Sequence, residues 1–364
     1  MDHEGRRSNH FPMKSEQYCF GGMASQTVHC GGVVVVALKR GDTFWLEGDA
    51  DMFIAAGRVE LFGALLNAGA MHSVYATEHA LAVECTSTKT RALKRKSVSG
   101  DGAAREDEVA ARVAELTKGA ARGTRAVIVL RPPSGRRPTT SAAAAFTVST
   151  AAAAAMADGS DAAAQAASPR RAINVPAAWR TVAAQLCADS RDAGGGAARR
   201  RRRPTRVLIC GPKGVGKSTF GRYLLNRLLS TQITGKGVAY LETDLGQSEF
   251  TPAGHVALHR VTRPVLGPPH THVRPARAAY FVGVATPEQV PETYVKCVRA
   301  AFADFAADLA GAQRERAPQR LLVNTHGWVK GAAMLVGNYA ADVDTKNAVP
   351  FTYHHTTTAP PPPP

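Results

Sequence analysis

A glycine-rich segment in the second half of the chain has the residue types that bind a phosphate group. It matches G-x-x-x-x-G-K-[S/T] in full and lies between an apolar run, RVLIC, and a segment with helical spacing, GRYLLNRLLS. Glycines let backbone N–H groups converge on a phosphate, and the N-terminus of a following helix adds partial positive charge. We therefore predict a nucleotide-binding loop, formed by Gly211, Pro212, Lys213, Gly214, Val215, Gly216, Lys217, Ser218 and Thr219.

Two side chains of this loop are expected to act on the nucleotide directly. Lys217 is predicted to bridge the β- and γ-phosphates, and the Ser218 hydroxyl is predicted to bind Mg²⁺. The sequence contains no N-K-x-D segment, with which GTPases of this class read guanine. The predicted nucleotide is therefore ATP, bound together with Mg²⁺.

Two carboxylates at the end of the next apolar run, VAYLETD, are candidates for metal binding and proton transfer. In open α/β sheets, ligands bind outside the carboxyl ends of the strands. Asp244 is the preferred residue, because it could hold Mg²⁺ through water or accept a proton from an attacking hydroxyl. Glu242 lies two residues earlier, on the same face of an extended strand, and is the competitor. Simple capping of the strand end is the structural alternative for both.

The elements that must position these residues alternate between strand and helix in the second half of the chain. Nearly continuous apolar strands separated by helices predict a P-loop NTPase-type α/β fold, with helices on both faces of a parallel sheet. The first half is different, because short apolar runs such as VVVVAL and DTFWLEG are broken at turn-like intervals. This pattern predicts a small β-rich N-terminal domain of the sandwich or barrel type.

Composition limits the class of partner. Lys and Arg number 45 against 29 Asp and Glu, a net charge of +16. This surplus favours a polyanionic partner, although arginine enrichment in disordered segments would give the same total. The six cysteines form no C-x-x-C pair, so neither a disulfide framework nor a zinc site is predicted. His270 and His272 have ligand-like spacing but no further ligands nearby. No apolar stretch reaches the roughly 18 residues of a membrane span, and we expect no membrane association.

Five segments, in this order and spacing, resemble the polynucleotide 5′-hydroxyl kinases of pre-ribosomal RNA processing. They are GPKGVGKSTFGRYLLN, YLETDLGQSEFTPAG, LGPPHTH, GVATPEQVPETY and LLVNTHGWVKG. The resemblance is strong over 174–331 and extends weakly to the N-terminal β region, where the family also has a small β domain. It implies Mg²⁺-assisted transfer of phosphate from ATP to the 5′-hydroxyl of RNA.

The resemblance also assigns roles to residues of this sequence. Lys217 and Asp244 become the catalytic residues, with Asp244 as the base that activates the hydroxyl. Gln247 would order the metal or its water, so that the metal set is Ser218, Asp244 and Gln247.

The predicted RNA-binding residues are Thr286, Pro287, Trp328 and Lys330. By the resemblance, the Thr286–Pro287 loop and Trp328 form a clamp over the terminal nucleotide. An indole stacks on a base without demanding a particular one. For Trp328 the alternative is a core tryptophan, and Lys330 is placed to meet a phosphate.

Partners and location follow from the same resemblance. It implies RNA with a 5′-hydroxyl end, a role beside an RNA-processing nuclease complex, and location in the nucleus, within the nucleolus. The basic run at 199–203 fits nuclear import or RNA contact, and a solvated linker is the alternative. A second hypothesis is a catalytically weak ATP-binding scaffold of an RNA-processing complex. A small-molecule kinase or plain ATPase is disfavoured by the basic charge and the Trp328 loop.

The predicted domain organisation has five parts. The family's chain continues past GWVKG with lid arginines, whereas no arginine follows Gly331 in this sequence, so we expect it to be truncated at the C-terminus. The parts are a disordered tail at 1–24, a β-rich domain at 25–135 with a charged insertion at about 91–123, a low-complexity linker at 136–170, an incomplete P-loop kinase domain at 171–350, and a disordered tail at 351–364.

Overall fold

A computed structural model describes most of the chain between residues 26 and 350. The described residues are 26–30, 32–88, 103–118, 123–133, 146–149, 172–188, 205–231, 235–311, 317–318, 320–327 and 347–350. The predicted tails, 1–24 and 351–364, lie outside them. The chain divides into an N-terminal unit, Met1–Glu60 with Leu66–Ala172, and a P-loop unit, Leu61–Leu65 with Ile173–Pro364. No helix in the described part of the chain has the length and apolarity of a membrane span.

The N-terminal unit is built on one β-sheet with the strand order β1-β2-β7-β3-β6-β4-β5. Strand β2 pairs antiparallel with β1 and β7, and β3 pairs antiparallel with β6, β7 and β8. The strands are β1 (Gln26–Cys30), β2 (Val33–Leu38), β3 (Thr43–Ala56), β4 (Arg58–Leu61), β5 (Ala64–Asn67), β6 (Met71–Cys85), β7 (Ala126–Arg131) and β8 (Phe146–Ser149).

Two elements of this unit lie where the sequence predicted none. Helix α1 (Ala103–Lys118) lies in the charged insertion, and its apolar positions Val109, Val113 and Leu116 recur at helical spacing and join the cluster around Val127. Strand β8 lies inside the predicted linker and pairs with β3. Its sequence, FTVS, is rich in residues that favour strands, which the surrounding alanines had obscured.

The P-loop unit has a six-stranded sheet with the order β12-β11-β10-β13-β9-β14. Strands β10, β13 and β9 are parallel, as predicted, and β14, which the sequence did not predict, is parallel to β9. Strands β11 and β12 run antiparallel to their neighbours, so the sheet is mixed rather than wholly parallel. The elements are α2 (Ala177–Ala188), β9 (Thr205–Cys210), α3 (Lys217–Ser230), β10 (Val238–Glu242), β11 (His255–Val261), β12 (Ala278–Phe281), α4 (Pro291–Ala310), β13 (Arg320–Asn324) and β14 (Asn347–Pro350).

The antiparallel edge has a simple physical cause. A parallel neighbour requires a long crossover, which is usually a helix. The connection between β10 and β11 contains no helix, so β11 returns beside β10 in the opposite direction. The sequence did not reveal β11 because His259 and Arg260 interrupt its apolar pattern.

Helices α3 and α4 cover opposite faces of this sheet. Helix α4 packs against a cluster that includes Leu241 and Leu258. Tyr240 points to the other face, where a Cβ atom placed on Gly221 of α3 would lie 3.5 Å from the Tyr240 hydroxyl. Because strand side chains alternate, the Glu242 side chain also points to the face of α3. The predicted covering of both faces is thus observed.

A tight turn at Phe62 and Gly63 belongs to the P-loop unit and packs on α3. Both residues have positive φ, 44° and 82°, as a type I′ turn requires. The side-chain amide of Asn226, which is fully buried, donates to the carbonyl oxygens of Phe62 (3.0 Å) and Val265 (2.9 Å). Its oxygen accepts the Val265 N–H at 2.8 Å. A single side chain of α3 therefore holds both segments in place.

Candidate nucleotide-binding and phosphoryl-transfer site

The predicted phosphate loop connects β9 to α3. Gly211, Gly214 and Gly216 all have positive φ, and Gly216 is the N-cap of the helix. A side chain at the left-handed positions Gly214 and Gly216 would be strained, which explains the glycine spacing. Trp179 of α2 lies beside the loop, because a Cβ atom placed on Gly216 would be 3.6 Å from its ring. Its ring centroid is also 5.2 Å from that of Phe220 in α3. The loop thus directs the N-terminus of α3 toward any bound anion.

Lys217 is the first residue of α3, and its side chain is buried inside the loop. Its ammonium donates a hydrogen bond to the Pro212 carbonyl oxygen at 2.8 Å. Burial lowers the pKa of Lys217, and the nearby charges of Asp244 and Cys210 act in the opposite direction. The arrangement holds a cation within the loop, where a phosphate would provide its natural counter-charge.

The segment after β13 closes the other side of the phosphate loop. The Thr325 hydroxyl donates to the Ile209 carbonyl oxygen at 2.7 Å. A Cβ atom placed on Gly327 would lie 2.9 Å from the Cα atom of Lys213, so only glycine fits there. Trp328 and Lys330, which come next and were predicted to bind RNA, lie outside the described residues.

Asn324, the last residue of β13, joins the two sides of the site. Its side-chain nitrogen donates to Glu242 Oε1 at 3.1 Å and lies 3.4 Å from the Ser218 hydroxyl oxygen. Sequence reasoning missed this residue. The available signal was its position, because an amide at the carboxyl end of a buried strand faces the same edge as Asp244.

Glu242 is fully buried, and both of its carboxylate oxygens accept hydrogen bonds. The backbone N–H of Asp244 donates to Oε1 at 2.9 Å, and that of Glu249 donates to Oε2 at 3.1 Å. Burial raises the pKa of Glu242 well above its ordinary value, an effect that these N–H groups partly offset. Glu242 is therefore placed to organise the turn rather than to reach a ligand.

Asp244 lies at the start of that turn, nearer the surface than Glu242. Its Oδ1 accepts the backbone N–H groups of Gly246 (3.0 Å) and Gln247 (3.1 Å). The Gln247 side chain is exposed. The geometry therefore favours Asp244 over Glu242 as the carboxylate that meets a ligand, with Gln247 beside it.

The Thr286–Pro287 loop reaches the same turn. The Ala285 carbonyl oxygen would lie 3.1 Å from a Cβ atom placed on Gly246. Pro287 is buried and begins a short 3₁₀ helix, Pro287–Gln289, that leads into α4. The structure thus brings this loop, Asp244 and Gln247 together at the carboxyl edge of the sheet.

A charge cluster lies behind the turn. Glu249 is buried and receives two hydrogen bonds from Arg222, at 2.8 and 3.2 Å, while His272 Nε2 lies 2.8 Å from its Oε1. Burial alone would raise the pKa of Glu249, but the His272 hydrogen bond and the Arg222 charge outweigh it and lower the pKa. His272 thus pairs with a carboxylate, and the described residues contain no cluster of metal-binding type.

The region that contains this site matches a known protein family. Residues 211–352 match the family described as the mRNA cleavage and polyadenylation factor CLP1 P-loop. The polynucleotide 5′-hydroxyl-kinase NOL9 of Homo sapiens is 42% identical over 130 residues, which cover 36% of this chain and 17% of that protein. The polynucleotide 5′-hydroxyl-kinase grc3 of Emericella nidulans is 40% identical over 149 residues, or 37% of this chain and 18% of that protein.

Residues 211–352 thus match a P-loop family, and the chain is similar to named polynucleotide 5′-hydroxyl kinases. The resemblance stated from the five sequence segments is thereby confirmed, as is the P-loop α/β fold class. The chain aligns with less than a fifth of the length of these polynucleotide 5′-hydroxyl kinases. Among solved structures, the complex of wild-type Clp1p with Pcf11p (454–563) aligns with 89% of this chain and 61% of that chain, at a TM-score of 0.49 and 12% identity.

Proposed function

We propose that this chain is an ATP-dependent polynucleotide 5′-hydroxyl kinase that phosphorylates RNA 5′ ends in pre-ribosomal RNA processing. One observation carries the proposal: Lys217 is buried in a phosphate loop, and the Asn324 side chain links Ser218 of that loop to Glu242, which accepts the backbone N–H of Asp244. A cation for the triphosphate and a base for an attacking hydroxyl thus share one edge of the sheet. The relatedness to named polynucleotide 5′-hydroxyl kinases supports the acceptor class.

The proposed mechanism assigns each step to a residue of this chain. The loop and Lys217 bind the β- and γ-phosphates of ATP and offset the charge that develops there. The 5′-hydroxyl oxygen attacks the γ-phosphorus in line, and the bond from the γ-phosphorus to the bridging oxygen of ADP breaks. Asp244 accepts or orients the hydroxyl proton. Its position at the end of the strand suits it to this role. Glu242 and Asn324 position the turn that carries Asp244 relative to the Ser218 hydroxyl.

The residues present also fit a magnesium ion. The Ser218 hydroxyl, the Asp244 carboxylate and the Gln247 amide are oxygen donors of the kind that Mg²⁺ prefers. Among the described residues, the buried Asn324 Oδ1 has no hydrogen-bond partner, and it could accept a hydrogen bond from a metal-bound water. When bound, Mg²⁺ would neutralise charge on the phosphates of ATP.

The acceptor end is proposed to lie against the Thr286–Pro287 loop. That loop contacts the turn after Asp244, so a nucleotide held there has its 5′ end beside the proposed base. Trp328 and Lys330 remain predictions as the opposite side of the clamp. Location in the nucleolus and association with an RNA-processing nuclease complex are also proposed, on the basic run at 199–203 and the family resemblance.

The test is transfer of label from γ-labelled ATP to a 5′-hydroxyl RNA oligonucleotide by the purified full chain. An oligonucleotide that already carries a 5′-phosphate is the control acceptor. We expect Lys217→Ala to weaken ATP binding and abolish transfer, while Asp244→Asn abolishes transfer but retains ATP binding. Wild-type protein that binds ATP tightly but transfers no label would overturn the proposal and favour an ATP-binding scaffold.

A further inference from the structure

An exposed aromatic ring lies at the edge of the P-loop sheet, outside the site described above. Phe281 is the last residue of β12, the edge strand, and 72% of its surface is exposed. Among the described residues, the other exposed large apolar side chains are Met71 and Val273, and both are less exposed than Phe281. Phe281 therefore contributes little to the core, and its ring is accessible to a ligand.

Phe281 lies in the same cross-strand row as Asp244. His255 of β11 pairs with Phe281 of β12, and their ring centroids are 5.0 Å apart. Glu242 pairs with Ala257, and a hydrogen bond of 2.8 Å from the Gly254 N–H to the Leu245 carbonyl oxygen continues that antiparallel register past the strand end. Asp244 is thus opposite His255, which is opposite Phe281.

The three side chains of this row point to the same face of the sheet. Ala278 and Tyr280 of β12 pack on the side of α4, so Phe281 points to the face of α3, as Glu242 does. Adjacent strands are about 4.8 Å apart, which places Phe281 about 10 Å from the strand end that carries Asp244. That distance corresponds to about three stacked nucleotides at about 3.4 Å each.

The Phe281 ring lies beside two glycines and the His255 ring. Cβ atoms placed on Gly254 and Gly283 would lie 3.5 and 3.4 Å from its edge carbons, so the ring lies against nearly bare backbone. His255 Nδ1 lies 3.1 and 3.2 Å from the carbonyl oxygens of Pro252 and Ala253. Because both neighbours are acceptors, Nδ1 carries a proton and the orientation of the imidazole is fixed. The two rings are inclined at 49° to each other, and Phe281 offers the exposed ring of the pair.

We infer that Phe281 and His255 form a stacking site for a base of the acceptor strand, about three nucleotides from the 5′ end. The inference rests on the proposed function and names a further contact of its substrate. Aromatic rings bind single strands by stacking with little base preference, and the net charge of +16 favours the RNA backbone. A protein strand added to the free edge of β12 is the competing explanation, which the test separates.

The experiment measures fluorescence anisotropy of a 3′-labelled 5′-hydroxyl octanucleotide RNA with the full chain and a non-hydrolysable ATP analogue. We expect Phe281→Ala to weaken octanucleotide binding by on the order of tenfold, and Phe281→Trp to restore it. Transfer to a dinucleotide acceptor and binding of the ATP analogue should be unchanged, because neither reaches Phe281. Met71→Ala, which removes another exposed apolar side chain, is the matched control.

The outcomes are distinguishable. If Phe281→Ala binds the octanucleotide with wild-type affinity, the stacking site is overturned. If Phe281→Ala also loses self-association while keeping its RNA affinity, the edge of β12 is a protein interface, which overturns the stacking site as well. An octanucleotide with 5-iodouridine at the third position should crosslink to the peptide that contains Phe281. Wild-type protein that binds and crosslinks the octanucleotide but transfers no phosphate supports the stacking site and overturns the kinase function alone. Wild-type protein that binds no RNA overturns both.

Discussion

The side-chain nitrogen of Asn324 lies 3.1 Å from Glu242 Oε1 and 3.4 Å from the Ser218 hydroxyl oxygen. This one amide links the carboxyl ends of β13 and β10 with the first turn of α3. Glu242 in turn accepts the backbone N–H of Asp244. The proposed metal-binding hydroxyl and the proposed base are therefore positioned through a shared buried hydrogen-bond network.

Asn324→Ala should loosen this network. Glu242 would lose one donor in a buried environment, and we expect the free energy of unfolding to fall by about 1–3 kcal/mol. The affinity for ATP should fall more with Mg²⁺ than without it, because Ser218 loses its neighbour. Chemical denaturation and ATP titrations with and without Mg²⁺ measure the two effects. An equal loss of affinity in both titrations would argue against a role at the metal site.

Gly327→Ala should displace the phosphate loop. The added methyl would lie 2.9 Å from the backbone of Lys213, a distance that forces one segment to move. We expect ATP affinity to fall at least tenfold. The melting temperature should change little, because the phosphate loop and the segment after β13 lie at the carboxyl edge of the sheet and outside its core. Gly311→Ala, after the C-terminus of α4, is the control and should leave ATP affinity at the wild-type value.

Arg222→Met should show how much the buried ion pair between Arg222 and Glu249 contributes to the free energy of unfolding. It leaves the Glu249 carboxylate buried without its bidentate partner, and we expect a loss of about 3 kcal/mol in the free energy of unfolding. The pKa of Glu249 is below its ordinary 4.5 in the folded protein, so its contribution is present above pH 4.5 and is lost as the pH falls through the folded pKa. In the variant, acid unfolding should begin at higher pH.

The matched control for that prediction is an exposed pair. Arg277 lies 2.8 Å from Asp308 at the surface, and Arg277→Met should cost less than about 1 kcal/mol. Equal losses for the two arginine variants would contradict the assignment of Glu249 as a buried structural charge.

His259 should make the P-loop unit sensitive to mild acid. Burial, followed by the charge of Arg274, lowers the pKa of His259 from 6.5 to about 4. The unfolded chain therefore binds the proton more tightly, and stability that is present above pH 6.5 is lost as the pH falls toward 4. The loss amounts to about 3 kcal/mol over that window. His259→Phe should flatten this part of the profile of unfolding free energy against pH, whereas His270→Phe, at an exposed position, should leave the slope unchanged.

The phosphate loop and its flanking strand and helix were predictable because they form one continuous segment. The glycine positions, the apolar strand and the helical spacing all lie between 205 and 230 and need no distant partner. The link between Asn324 and Glu242 was not predictable from spacing, because it depends on β13 lying beside β10 in the sheet. The pairing of His272 with Glu249 was missed for the same reason, since the two residues meet only after the chain has turned back.

The antiparallel edge of the P-loop sheet could also not be predicted from local sequence patterns. The row from Asp244 to Phe281 exists because β11 and β12 are antiparallel, which follows from a connection without a helix. The sequence analysis predicted a parallel sheet and gave Phe281 no role. The contact between the turn at Phe62 and helix α3 could not be predicted either, because more than a hundred residues separate them in the sequence.

That turn bears on where the protein could be divided. A recombinant fragment starting at Ile173 would omit Leu61–Leu65, and the buried amide of Asn226 would lose the Phe62 carbonyl as an acceptor. The ring of Tyr223 would be uncovered on the same side. Since Asn226 and Tyr223 belong to the helix that begins with Lys217, expression of the nucleotide-binding half on its own calls for co-expression with the β4–β5 hairpin.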